Sequence, residues 1–300
     1  MDMTQNKCCR HGASLRRRRR RRRKILCFII FSCSIIAVAV FVAVGSSMIR
    51  SGDGRTNRYD VEAGNNTYDN AVIENSKISE KNKIQNEQSM LDDIMNSTQY
   101  PKQLKDLALK NEEALEFVYD YPAEHVKEHT IDLTEEASMD SVPLFVQWDK
   151  RWGYEKYSGN FFAASGCGPT TLSMVVVYLT HNREASPIAV AKYSREAGYS
   201  VDGSGSSWTL ISEGCMHYGV KAKAVALDES RMKAELDAGH PIVVNVGPGD
   251  FTDTGHFMVI TGYDDEGFSI NDPNSIEKSG KRWLFKNISS QIRAVWSMYV

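Results

Sequence analysis

Four side chains in the second half of this chain, Gln147, Cys167, His256 and Asp272, have the types that acyl transfer through a thiolate requires. A thiol nucleophile needs a base, a group that orients the base, and donors for the developing oxyanion. Cys167 stands in Ala164-Ser165-Gly166-Cys167-Gly168-Pro169-Thr170-Thr171, directly before Leu172, Val175, Val176 and Leu179, an apolar set at helical spacing. A helix start leaves backbone N–H groups unpaired and carries the positive end of the macrodipole, so a cysteine there is stabilised as thiolate. Ser165 suits a cap, Pro169 suits the first turn, and glycines on both sides of Cys167 would let a substrate backbone approach. Taken alone, this spacing fits a nucleophile and a buried space-filling thiol equally well.

The other three roles depend on elements that bring distant residues together. His256 follows Gly255 at the start of a strand predicted over 256–263, where a side chain can emerge at a sheet edge. Asp264-Asp265-Glu266-Gly267 turns the chain, and a returning strand over 268–271 leads into Asp272-Pro273-Asn274. A hairpin brings its first and last residues together, so Asp272 is expected beside His256, holding its other ring nitrogen. Gln147, in Gln147-Trp148-Asp149-Lys150-Arg151-Trp152, supplies a side-chain amide that could join the Cys167 backbone N–H as oxyanion donor, an interaction of about 10²–10³-fold in rate per donor.

Around these residues the periodicity predicts a short extended segment over 142–147, helices over 167–180, 186–197, 208–218 and 228–238, and a strand over 221–224. Further strands are expected over 241–246 and 295–300. Helices first and antiparallel strands afterwards make an α+β domain. Before it, apolar residues from Leu104 to Val118 predict one helix over 102–119 that packs on this body, stopped by Tyr121-Pro122. Residues 123–141 read as a polar connector and 45–97 as a solvated polar stalk, with order resuming near Tyr100.

The amino terminus sets the expected location. Residues 1–24 carry eleven Lys/Arg against one acid, Asp2, so a total net charge of −2 leaves −12 on the remainder. The run Arg16 to Lys24 abuts twenty uncharged, apolar residues, 25–44. At about 1.5 Å rise per residue such a helix spans roughly the 30 Å hydrocarbon core. Positive charge on one flank predicts that residues 1–24 stay in the cytoplasm and the chain from 45 onward faces outward. A cleaved signal peptide is the alternative, but the apolar stretch exceeds the usual h-region of about 7–15 residues. Nucleic-acid binding by the arginines is not expected.

Taken together, Gln147-x-Asp149-x-x-Trp152, Gly166-Cys167-Gly168-Pro169-Thr170, Gly255-His256-Phe257 and Asn271-Asp272-Pro273 resemble the peptidase C39-like family of papain-fold cysteine proteins. Tyr100-Pro101 with Asn111-Glu112-Glu113 is similar to a segment that precedes the domain in membrane-anchored Gram-positive bacterial members. The resemblance covers about residues 98–300. It implies a papain-like fold in which N-terminal helices pack on an antiparallel sheet, with Cys167 as nucleophile, His256 as base, Asp272 as orienting acid and Gln147 as oxyanion residue. It implies a peptide or protein substrate and no cofactor or metal. Family members that trim double-glycine leader peptides are fused to ABC transporters and face the cytoplasm, so leader trimming is not expected of an outward-facing chain.

Rival readings attach to the same residues. Only Cys167 and Cys215 are expected to face outward, and a bridge between them would silence the thiol. Cys215, with Leu210, Ile211 and Tyr218, otherwise reads as a core thiol. Cys167, Cys215, His217 and His256 lack zinc-type spacing. Trp148, Trp152 and Trp208 read as core, with Trp208 alone placed to line a cleft, and Asp149 as fixing the Gln147 segment. Two further functions stay open: an amidase or transpeptidase of cell-wall peptides, and a peptide-binding module that keeps the fold without catalysis.

Overall fold

The computed structural model describes residues 66–300. The expected basic tail (1–24) and apolar anchor (25–44) therefore lie outside the described residues, as does the first part of the stalk. Among the described residues no helix is long and apolar enough to cross a membrane.

The segments that precede Cys167 depart from the expected organisation in two ways. Order does not begin at Tyr100: helix α1 (Asn66–Asn96) already occupies much of the presumed stalk, and its Ile94 is fully buried among Leu104, Leu107 and Leu115. The single helix expected over 102–119 is two, α2 (Lys102–Ala108) and α3 (Leu115–Tyr119), parted by a 3₁₀ turn at Glu112–Ala114. Asn111 causes the break. It takes extended backbone angles and its side chain accepts from the Glu113 N–H, a local bond that competes with continuing the helix. The apolar set from Leu104 to Val118 is nevertheless buried, packed against Phe161 and Ala163 just ahead of Cys167.

The connector 123–141 is also more than polar chain, because Leu133 and Ala137 are buried in the main core. Residues 142–147 join no strand. They are held instead by the Asn271 side chain, which donates to the carbonyls of Val142 and Pro143, and by the Gln147 N–H bonding the Pro273 carbonyl at 2.7 Å.

Helix α4 (Cys167–Thr180) packs beside α5 (Pro187–Glu196), which Ser186 caps through the Ala189 N–H. The helix expected over 208–218 splits into a short turn at Thr209–Ser212 and a 3₁₀ stretch at Gly214–Tyr218, where a Cβ on Gly214 would lie 3.1 Å from the Tyr199 ring and 3.2 Å from Leu210. Next come β1 (Lys221–Ala224), α6 (Glu229–Asp237, capped by Asp228), β2 (Ile242–Val246), β3 (His256–Asp264), β4 (Gly267–Asn271), β5 (Arg282–Trp283) and β6 (Ile292–Tyr299). The sheet order is β1-β6-β2-β3-β4-β5, with every neighbouring pair antiparallel.

Both faces of this sheet are covered. Val243, Phe257 and Val259 point into the core shared with Leu172, Val175 and Val176 of α4, whereas Ile242, Val244, Met258 and Ile260 pack with Met232 of α6. Alternation along β2 and β3 thus feeds two apolar layers, which is why all five residues of β2 are buried. This is an α+β architecture with helices set against an antiparallel sheet.

The seat of α4 is tight. A Cβ on Gly166 would lie 2.6 Å from the ring of buried Phe162, and one on Gly168 would lie 2.6 Å from Ser206 Oγ. The glycines flanking Cys167 therefore serve close packing of the helix start. Gly166→Ala is expected to lower the thermal unfolding midpoint, with a loss of about 1–3 kcal/mol as the Phe162 ring or α4 is displaced.

Candidate active site

Cys167 is the first residue of α4 and is half-buried. No side chain caps the helix: Ser165, expected to do so, closes the preceding turn and turns its hydroxyl back onto the carbonyls of Tyr157 (2.8 Å) and Phe161 (3.0 Å). The unpaired donors of the helix start thus stay available to the thiol and its surroundings. Among the described residues the Cys167 N–H donates to no backbone carbonyl.

His256 opens β3, opposite Val246 of β2, and is almost fully buried. Its Nε2 lies 2.7 Å from Asp272 Oδ1, which leaves Nδ1 for the side of Cys167, whose thiol is near enough for the two groups to shift each other's titration. The structure therefore brings Cys167, His256 and Asp272 together. β4 ends opposite Val259, and the turn that follows, closed by the Ser275 N–H on the Asp272 carbonyl, swings the carboxylate back toward the start of β3.

The electrostatics follow from this order. Burial alone would push the Cys167 thiol up, but the hydrogen bond and charge of His256, helped by the N–H groups of Phe257 and Gly168, bring it below its usual value. Burial alone would strip His256 of its proton; the charge and hydrogen bond of Asp272, with the contribution of Cys167, outweigh that and raise it to about 10. A thiolate–imidazolium pair is the ground state these shifts describe.

Asp272 is itself buried without exposure, and its loop is held from outside the sheet. Asp272 Oδ1 also accepts from the Asn274 N–H at 2.8 Å, while the Asp272 N–H donates to Ser279 Oγ at 2.9 Å. Asn111 donates from Nδ2 to the Asn274 carbonyl (2.9 Å), and the Trp148 indole reaches the same oxygen at 3.3 Å. The Glu113 carboxylate accepts from the Ser275 hydroxyl and from the N–H groups of Ile276 (2.7 Å) and Glu277 (3.0 Å). Glu113 and Asn111 are positioning residues that reading the sequence for chemistry missed. The signal was only their place in the motif Asn111-Glu112-Glu113, since they lie about 160 residues from the loop they hold.

Gln147 is buried, and Nε2 donates to the Ala163 carbonyl at 2.8 Å, four residues before Cys167. An amide nitrogen has two hydrogens, so one stays free for a second acceptor. Asp149 takes the expected structural part: Oδ1 accepts from the Arg151 N–H and the carboxylate pairs with the Arg151 guanidinium, which also reaches Glu136. Trp152 is buried, Trp148 half-buried, and Trp208 is 47% exposed. A cleft of about 700 Å³ opens on Cys167, lined among others by Ser206, Trp208, Asn245, Phe257 and Arg293. Cys215 is a buried core thiol pushed up to about 11 by burial, and among the described residues neither it nor Cys167 is in a disulfide.

Residues 139–300 match the model of the peptidase C39-like family. The chain belongs to that family. Two solved C39-type structures align with about half of it. One is the peptidase domain of Streptococcus ComA, a bi-functional ABC transporter involved in a quorum sensing pathway (18% identity, 53% of this chain and 96% of that one, TM-score 0.38). The other is a C39-like peptidase from Bacillus anthracis (17% identity, 53% and 95%, TM-score 0.34). No curated protein matches. The C39-like match begins at residue 139, so α1, α2, α3 and the clamp residues Asn111 and Glu113 precede it.

Two outcomes are expected. In the native protein iodoacetamide should modify Cys167 at pH values well below the usual thiol value of 9.0, while Cys215 stays unmodified until the chain unfolds, as read by peptide mass spectrometry. Glu113→Ala should move the titration of His256, followed by NMR of its ring, from near 10 toward the ordinary 6.5, because a loosened loop no longer holds Asp272 on Nε2. Glu113→Gln, which keeps one acceptor oxygen, should shift it less.

Proposed function

We propose that this C39-like chain is a membrane-anchored, extracytoplasmic cysteine peptidase that hydrolyses peptide bonds through Cys167, His256 and Asp272, with Gln147 as oxyanion residue. The observation that carries the reading is the buried His256–Asp272 pair at 2.7 Å, coupled to a thiol at a helix start that faces a cleft. In the reaction the Cys167 thiolate attacks the amide carbonyl, and the developing oxyanion takes the Cys167 N–H and the second Nε2 hydrogen of Gln147. Imidazolium His256 then gives its Nδ1 proton to the leaving amine, breaking the C–N bond and leaving a thioester. Neutral His256 takes a proton from water, whose oxygen attacks the thioester, and release of the acid restores the ion pair.

The arginine run beside the apolar segment 25–44 supports anchoring with the catalytic domain outside. The same outward topology favours a second reading, an amidase or transpeptidase acting on cell-wall peptides, since the triad serves any acyl transfer. The complete set of four residue types speaks against a non-catalytic binding module.

Cys167→Ala should abolish hydrolysis of any substrate the wild type cleaves; full activity in that variant would end the proposal. Incubation with purified peptidoglycan against an unstructured polypeptide separates the two enzymatic readings. The pH profile should rise on the acid side as the thiolate forms. It should fall on the alkaline side near 10 as His256 loses the proton it must donate, and in Asp272→Ala that alkaline limb should move to lower pH.

A further inference from the structure

We propose that Arg293 is a carboxylate-binding subsite of the cleft, so that the preferred substrates are peptides presenting a carboxylate near the scissile bond. The inference rests on the peptidase reading and names a substrate class for it. Three observations converge on this side chain.

The first is backbone register. β6 pairs with β2 as Ile292 opposite Val246 and then Ala294 opposite Asn245, so two steps along β6 match one step along β2. Arg293 is the extra residue of a β-bulge, a feature that re-aims a side chain out of the regular alternation. It stands at the end of β2 where Asn245 and Val246 line the cleft that contains Cys167.

The second is room made for the guanidinium. A Cβ on Gly247 would lie 2.8 Å from Arg293 Nε and 3.0 Å from Nη2, so the head lies close against this cleft-lining loop in space that a side chain at 247 would contest. Nη1 donates to the Ser290 carbonyl at 2.8 Å, which fixes one corner of the head. The remaining donors, the Nε–Nη2 edge included, have no protein acceptor among the described residues. That edge is the fork that matches a carboxylate bidentately.

The third is charge. Among the described residues Arg293 is the one cationic side chain lining the cleft, and no carboxylate there pairs with it. Asp250, in the adjoining loop, is engaged by Gln291 instead, Nε2 donating to Oδ2 at 2.7 Å. Outside its first 24 residues the chain carries −12. A lone cation in the cleft of an acidic body selects for an anionic group at that point rather than for anionic substrates in general.

The carboxylate could be an acidic side chain or a peptide C-terminus, and the test separates them. In the full chain, Cys167 is alkylated by iodoacetate and by iodoacetamide, which share a reaction and differ in charge. The ratio of the two rate constants should fall several-fold in Arg293→Gln and about tenfold in Arg293→Glu, and should be largely kept in Arg293→Lys. Fluorogenic peptide mixtures then compare Glu with Gln at internal positions, and free with amidated C-termini. The preference for Glu or for the free terminus should vanish in Arg293→Gln, and whichever preference is lost identifies the source. A ratio and a peptide preference unchanged in both neutral and acidic variants would overturn the subsite. An Arg293-dependent alkylation ratio in a chain that cleaves no peptide would overturn the peptidase reading and leave the anion subsite standing.

Discussion

Everything in this site depends on a carboxylate that has been taken out of water. Asp272 has no exposed surface, and its Oδ1 is held there by the His256 ring nitrogen at 2.7 Å and the Asn274 N–H at 2.8 Å. Removing one member of such a buried pair typically costs about 3–5 kcal/mol, since the other is left charged and unpaired. The pair therefore constrains its surroundings: the strand start, the turn after β4 and the helix start must all meet at one point. The reward is a proton held on His256 well above the ordinary imidazole range, and through it a thiol kept below its own.

The architecture can be understood as three devices that hold those points. The two-sided burial of β2 and β3 fixes where His256 emerges. Close packing of Gly166 on Phe162 and of Gly168 against Ser206 fixes the start of α4. The turn after β4 is fixed by hydrogen bonds that arrive from Asn111, Glu113 and Trp148. Gln147 belongs to the same arrangement, because its N–H is bonded to Pro273 and its side chain to Ala163, tying the aspartate turn to the approach to Cys167.

How much of this was legible in the sequence follows from contact range. α4, α5, α6 and the β3–β4 hairpin announce themselves locally, through apolar spacing, capping residues and a turn rich in Asp and Gly, and with them come Cys167, His256 and Asp272. The division of the 102–119 helix was less visible because a single capping asparagine overrode a continuous apolar stripe. Ser165 misled, since its type suits a cap while its position in the preceding turn aims it elsewhere. The roles of Glu113, visible only as part of a motif, and of Arg293 could not be read from local sequence. The first acts across more than 160 residues, and the second owes its direction to a register shift that exists only once β6 has paired with β2.

The clamp on the aspartate turn also separates two boundaries that usually coincide. Family resemblance starts at residue 139, but the hydrogen bonds that steady Asp272 start at Asn111, and the apolar packing behind them reaches back to Ile94. The heritable module and the mechanical one are thus different lengths. A swap of domains between relatives made at the boundary of sequence likeness would carry across Cys167, His256 and Asp272 and leave behind the brace that keeps the carboxylate in place.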